Sequence, residues 1–408
     1  MEQNSKIEFK TYPFRWVILA VYFLITIAIE IQWLTFAPIA REARLAYGVS
    51  ALRIDLLSMI FIGMSLIFCI PASLIIDRFG IRLGVGIGAA FTGFFSLAKG
   101  LFADNYGMML ASQAVLGAAQ PFILNAVTKV AVKWFPNKER ATAVGLGTLA
   151  QFVGFIIVNL ATGRLIRKAG EAYDLRLMLM TYGIASAIVA AGFLIMIREE
   201  PPSPPSEQSK GGRLLSWEGF RHLIKQRDMI LVLILFFFGL GMFNAVTTCI
   251  DQITQGKGLA SDHNGTIMGV MFAAGIAGAL VFPPLSDKIQ RRKPFLLGAV
   301  VLVLPAIAGM TFAHGVGAMI FFGAMLGLFL LGAAGPIGFQ YGAEVAYPAP
   351  ESLSQGIIML MGQISGILFI LGMNLIGIER FMIAFIVLSG ANVLLALLLR
   401  ESPLVTKK

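Results

Sequence analysis

The feature that most constrains this chain is a succession of long apolar runs, each separated from the next by a short polar connection. They lie near residues 14–39, 53–76, 83–102, 106–131, 141–163 and 176–197, then near 228–254, 263–285, 294–313, 316–346, 352–376 and 380–400. About 20 apolar residues cross the roughly 30 Å hydrocarbon core of a bilayer as a helix. Hydrocarbon has no partner for backbone N–H and C=O groups, so only helices and closed barrels can span it. Runs of this length predict helices. Twelve of them in 408 residues predict an all-α integral membrane protein with little soluble mass. A mean hydropathy of +0.82, with only 13% charged residues, excludes an ordinary soluble domain.

The net charge of +10 falls between the apolar runs and not on one soluble module. This pattern fits membrane orientation and argues against nucleic acid as a partner. With an even number of spans, both ends share one side with Arg78, Arg82, Lys133, Lys138, Arg140 and the 198–227 connection. That side also takes Lys288, Arg291, Arg292 and Lys293. Most basic residues therefore lie there, which makes it the cytoplasmic face and the cytoplasmic (plasma) membrane the expected location. Arg164, Arg167, Lys168 and Arg176 form a minority cluster opposite. Charged residues run straight into the first span with no small-residue cleavage site after it, so no cleavable signal is expected. Cys69 and Cys249 lie far apart in apolar segments, without metal or disulfide spacing.

Residues 198–227 divide the chain into a six-helix half, 1–197, and a second six-helix half, 228–408. Pro201-Pro202-Ser203-Pro204-Pro205 cannot be helical, because proline lacks a donor and restricts its predecessor. Trp217, Phe220, Leu223 and Ile224 then recur at helical spacing, which reads as an amphipathic helix on the membrane surface. The halves echo each other. Asp77-Arg78-Phe79-Gly80-Ile81-Arg82 separates spans two and three, and Asp287-Lys288-Ile289-Gln290-Arg291-Arg292-Lys293 stands at the equivalent place between spans eight and nine. An acid at a helix end followed by bases can form a charge network that breaks when the halves rock. One copy alone could be an orientation anchor; two in register single out Asp77, Arg78, Arg82, Asp287, Lys288 and Arg291 as gating residues.

Within the first span, Ile29-Glu30-Ile31-Gln32-Trp33 places an acid among hydrocarbon-compatible residues. An intramembrane carboxyl costs a few kcal/mol on insertion scales and usually faces a protein-lined cavity. Glu30 and Trp33 lie at i, i+3 and share a helix face. Together they offer a desolvated cation a counter-charge and a π face. The plain alternative is a protonated Glu packed on a space-filling Trp.

The two-halves layout resembles the major facilitator superfamily, whose halves are parallel repeats with a substrate site near the midplane. Trp134-Phe135-Pro136-Asn137-Lys138-Glu139-Arg140 is also similar to a stretch common there, although Ser73 and Pro283 stand where that superfamily's loop motif usually has glycine. Gln32-Trp33, Tyr47-Gly48-Val49-Ser50-Ala51, Asp55-Leu56-Leu57-Ser58-Met59, Ala119-Gln120-Pro121-Phe122 and Asn244-Ala245-Val246-Thr247-Thr248 look like the feline leukaemia virus subgroup C receptor-related family. So does Gly338-Phe339-Gln340-Tyr341-Gly342-Ala343-Glu344-Val345 in span ten. The resemblance implies facilitated transport of choline, ethanolamine or a related solute, with haem as another cargo proposed for that family. It also implies pocket positions Trp33, Gln151, Asn244 and Gln363. Asn244 stands where choline-transporting members have a second aromatic, Gln340 replaces an acid, and Glu30 lies outside the family pattern. The pocket therefore reads as more polar than a quaternary-ammonium site.

Gln120, Gln151 and Gln363 suit either ligand contact or interhelical hydrogen bonds, the latter worth about 1 kcal/mol. Glu344 reads as a gate or helix-end residue, Asp251 as a solvated acid at the outer end of span seven, and Asn159 and Asn374 as packing residues. His222, His263 and His314 fall in connections or at their edges and do not read as metal or haem ligands. Neither a catalytic constellation such as H-E-x-x-H nor a phosphate-binding G-x-x-x-x-G-K-[ST] loop occurs. The expectation is a transporter and not an enzyme, monomeric, needing no cofactor. It moves a small polar or cationic metabolite by alternating access, downhill or with a coupled proton. Haem, a vitamin such as pyridoxine, or a transport-dead sensor are the alternatives.

Overall fold

The computed structural model describes residues 10–136, 138–169, 172–205, 221, 223–347 and 351–402. In chain order its helices are α1 (Phe14–Trp33), α2 (Ala40–Tyr47), α3 (Ala51–Leu101), α4 (Tyr106–Leu124), α5 (Val127–Trp134) and α6 (Arg140–Leu165). A short antiparallel hairpin follows, β1 (Arg167–Ala169) paired with β2 (Ala172–Asp174). Then come α7 (Arg176–Met196), α8 (Arg227–Thr248), α9 (Ile250–Gln255), α10 (Asp262–Ile289) and α11 (Lys293–Phe312). The chain ends with α12 (Val316–Leu326), α13 (Gly335–Ala346), α14 (Glu351–Ile376) and α15 (Ile378–Leu398).

Eleven helical stretches among the described residues are long and apolar enough to cross a membrane. One of them, α3, has 51 residues. As a straight helix it would reach about 77 Å, more than twice the hydrocarbon thickness. It breaks at Gly80, whose φ of 91° and ψ of 178° leave the helical region. A positive φ costs glycine nothing and other residues a clash. Each arm is long enough to cross, so α3 holds both the second and the third apolar run, with the Asp77–Arg82 loop at the break.

Several runs are interrupted where the sequence reads as continuous apolar helix. The first stops at Trp33, and a 3₁₀ turn over Ala37–Ile39, carrying Pro38, leads into the polar α2. The fourth breaks at Asn125, whose side-chain amide donates to Cys69 O at 3.1 Å and Ser73 Oγ at 2.9 Å. The seventh breaks at Cys249. In the tenth, Gly327–Ala334 winds as a π-helix between α12 and α13. Of the amphipathic helix expected over Trp217, Phe220, Leu223 and Ile224, Trp217 and Phe220 lie outside the described residues, and Leu223 is buried in a hydrophobic core.

The chain divides into two compact units. The first comprises Met1–Trp33, Ile67–Gly154 and Leu175–Gly211, and the second Leu34–Leu66, Phe155–Asp174 and Gly212–Lys408. In the first unit α1 packs against α4 and α7. It also meets α6 at Gly154, where an added Cβ would stand 3.0 Å from both Glu30 Cβ and Ile27 O. In the second unit α8 packs along α14, and α10 along the π segment. A Cβ on Gly327 would lie 1.8 Å from Met271 O, so that contact requires glycine. Val232, Leu296, Ile337, Tyr341 and Ile358 belong to its core. In both units large apolar side chains such as Phe94, Ile195, Leu280 and Val387 are exposed. Their natural solvent is lipid.

Candidate functional site

In the first unit the sequence-marked acid is completely buried. Glu30 Oε1 accepts a hydrogen bond from Gln120 Nε2 at 3.0 Å, while its Oε2 is buried and has no hydrogen-bond partner among the described residues. Helix α1 positions the carboxyl, α4 supplies the amide, and the missing side chain at Gly154 admits α6 beside it. Trp33 is buried at the end of α1, one turn beyond Glu30. Gln151, on α6, is half-buried and makes no hydrogen bond through its side chain among the described residues.

A second buried polar cluster occupies the same unit and was not singled out from sequence. Lys99, fully buried on α3, donates to Gln32 Oε1 at 3.0 Å and Gln113 Oε1 at 3.1 Å, and Gln32 donates to Ser186 Oγ at 3.1 Å. Gln113 and Gln120 are seven residues apart on α4, so the two clusters lie about 10 Å from each other along it. The signal was present: the rule that marks Glu30, an ionisable group inside an apolar run, marks Lys99 equally.

In the second unit Asn244, buried on α8, donates through Nδ2 to Gly362 O on α14 at 3.1 Å. Its amide is thus used in helix packing, and Gln363, half-buried, follows Gly362 directly. Asp251 departs from expectation. It is 1% exposed, because the chain bends at Cys249 and turns it inward onto a cation supplied by α2. Arg41 Nε donates to its Oδ1 and Arg41 N to its Oδ2, both at 2.7 Å, and Asn264 Nδ2 adds a bond to Oδ1 at 2.7 Å. Nearby, Asp55 accepts from Gln252 Nε2 at 2.5 Å, Asn374 Nδ2 at 2.7 Å and Cys249 Sγ at 3.5 Å. Asn374 therefore holds a carboxylate as well as filling space. Among the described residues the Asn159 side chain bonds back along its own helix, to Phe155 O at 2.8 Å.

Of the expected gating residues, Asp77 pairs with Lys129 Nζ at 3.5 Å, and the Arg78 guanidinium lies 5.2 Å from the centre of the Phe79 ring. Arg82 contributes its backbone N–H, to Glu199 Oε2 at 2.8 Å, and Lys133 also bonds Glu199. Burial pushes the Glu199 carboxyl up, but these donors outweigh it and hold its pKa below the ordinary value. In the second unit the hub is Arg292. It bonds Asp287, donates to Glu344 Oε1 through Nε and Nη2 at 3.2 and 3.1 Å, and reaches Ser286 Oγ at 3.2 Å. Lys288 and Arg291 have no acidic partner within 4.0 Å among the described residues. Arg292 N donates to Glu401 Oε1 at 2.7 Å, and Glu344 also accepts from Gln340 Nε2 at 3.0 Å and from Ser402.

Membrane-crossing helices, ionisable groups held inside them and ion-paired helix ends are the parts of a multi-pass solute transporter. The Major Facilitator Superfamily model matches residues 18–370, and the chain belongs to that superfamily. It is 28% identical over 381 residues to solute carrier family 49 member A3 of Danio rerio, an alignment covering 89% of this chain and 78% of that one. It is also 28% identical over 375 residues to the choline/ethanolamine transporter FLVCR1 of Felis catus, covering 88% and 67%. Against the human choline/ethanolamine transporter FLVCR2 the figures are 25% over 371 residues, 87% and 70%. These agree with the resemblance read from the sequence. A bacterial homologue of the human lysosomal transporter Spinster, in an inward-facing unoccupied conformation, shares the fold with a TM-score of 0.78 at 14% identity, covering 95% of this chain and 97% of that one.

Proposed function

We propose that this transporter carries a small cationic amine by alternating access, with Glu30 as counter-charge. The observation that carries the reading is the carboxyl itself: completely buried in an apolar span, one oxygen on Gln120 and the other without a donor. A buried acceptor left unmade costs about 1–3 kcal/mol, which an ammonium N–H offsets. Relatives transport choline and ethanolamine by their names. A quaternary ammonium has no N–H to give, so the orphan oxygen favours a primary amine of the ethanolamine kind. Trp33 supplies the π face, and Gln120, Gln151, Asn244 and Gln363 are the other proposed contacts. The halves 1–197 and 228–408, joined by 198–227, are the moving parts, with Asp77, Arg78, Arg82, Asp287, Lys288, Arg291 and Glu344 at their gates. The protein acts as a monomer of the plasma membrane with cytoplasmic termini and has no catalytic role.

Glu30→Gln keeps the shape and removes the charge. In proteoliposomes it is expected to weaken primary-amine transport while a neutral analogue is carried as before. Loss of uphill accumulation under an imposed pH gradient, with downhill exchange retained, would instead make Glu30 a proton carrier. Wild-type amine affinity and pH response in this variant rule out both roles.

A further inference from the structure

In the second unit a cavity of 460 Å³ opens where α2, α9 and the start of α15 meet. Arg44 from α2, Gln252 and Gln255 from α9, and Gly377, Glu379 and Arg380 at the α14–α15 turn line it. Neither guanidinium has an acidic partner within 4.0 Å among the described residues, and Arg44 Nε is buried with no acceptor. An unmatched buried donor costs more than an exposed one, so a ligand that accepts from Nε would stabilise this half-buried guanidinium.

The backbone adds to this. Gly377, at φ 104°, turns the chain into α15 without a side-chain cap. The first N–H groups of that 21-residue helix have no acceptor one turn back, and they carry the positive end of its dipole. Two guanidiniums and an uncapped helix start converging on one cavity form an oxyanion site. Glu379 sets the charge. It adds one carboxylate to the two guanidiniums on the wall and also acts on the neighbouring Lys257, and a carboxylate on the wall opposes a phosphate dianion more than a singly charged phosphodiester. Leu375 and Ile376, large and exposed beside the turn, provide an apolar flank.

We propose that this cavity binds a phosphodiester, of the kind borne by an anionic lipid headgroup, between Arg44, Arg380 and the start of α15. The ligand bridges three segments that are far apart in sequence, bracing α2 against α9 and α15. Gln252 at the wall already donates to Asp55, so the occupied site extends the polar network around that carboxylate.

The test uses the full purified chain in detergent and follows its thermal unfolding midpoint during titration with phosphatidylglycerol, diacylglycerol or inorganic phosphate at constant ionic strength. Phosphatidylglycerol is expected to raise the midpoint and diacylglycerol to leave it. In Arg44→Gln/Arg380→Gln the titration should move to about tenfold higher lipid, since charge-assisted bonds are lost. Arg380→Gln alone, at an exposed position, gives a smaller shift and guards against a folding defect in the double variant. Glu379→Gln should tighten binding. A response to inorganic phosphate but not to the lipid, lost in the double variant, keeps the anion site and assigns a soluble ligand. Equal responses of wild type and double variant, or of phosphatidylglycerol and diacylglycerol, overturn the proposal.

Discussion

Arg41 grips Asp251 with two groups at once, its Nε on one carboxylate oxygen and its backbone N–H on the other, each at 2.7 Å. The same guanidinium reaches Leu259 O at 2.8 Å and Thr254 Oγ1 at 3.1 Å, so α2 is fastened to the α9 region by a single side chain. Removing one member of a buried pair strands the other, at a cost of about 3–5 kcal/mol. Arg41→Ala is therefore expected to lower stability by about that much. Arg41→Ala/Asp251→Asn should lose less than the two single losses combined. Thermal unfolding of the four members of the cycle measures the coupling, and simple additivity would show that the pair is not energetically linked.

Lys99 makes a second test of buried polarity. Lys99→Met keeps the length and removes the donor to Gln32 and Gln113, and is expected to cost about 1–3 kcal/mol. Adding Gln113→Leu removes the acceptor that Lys99 serves and should recover part of the loss. If the second change only deepens the loss, the glutamine contributes more by packing or by other contacts than by binding the amine.

The Arg292 hub predicts unequal effects from its two carboxylates. The Asp287 side chain is mostly exposed, whereas that of Glu344 is buried. Asp287→Asn should cost under about 1 kcal/mol, and Glu344→Gln about 3 kcal/mol, because it leaves Arg292 buried against a neutral partner. Under the gating role, Asp77→Asn and Asp287→Asn should also shift the distribution of distances between one spin label on each half while ligand still binds. Unchanged distributions in both variants remove that role.

Glu199 gives a pH dependence whose sign is fixed by its lowered pKa. A carboxyl held below its ordinary 4.5 contributes stability that is complete above that value and is lost as the pH falls through the folded-state value. Glu199→Gln should thus lower the unfolding midpoint at neutral pH, and the gap from wild type should close on acidification below 4.5. A gap independent of pH would assign the loss to packing.

The apolar runs were legible because lipid leaves helices almost no alternative, and the superfamily because its loop acids recur in both halves. Glu30 was legible as an anomaly in its run. Lys99 sat in the same kind of run, but near its end, where a base also serves as an orientation marker. The Asp251 environment was not legible. Hydropathy places that residue at a span end and implies water, while the bend at Cys249 and the cation from α2 are long-range events. Arg292 was hidden for a different reason: four bases in six residues share one composition, and only the turn after α10 selects which faces Glu344.

The π-helical stretch Gly327–Ala334 carries a consequence for numbering faces on the tenth span. Closing each turn with an i to i+5 bond uses more residues than an α turn, so every residue in it rotates the chain less. The side of the helix that α12 turns toward a neighbour is therefore not the side that α13 continues. Gln340 and Glu344 lie on a face that a helical wheel drawn from Val316 would assign elsewhere. Winding Leu328–Ala333 as α-helix with the same number of residues would swing that face away from Arg292 while leaving every residue of α13 unchanged.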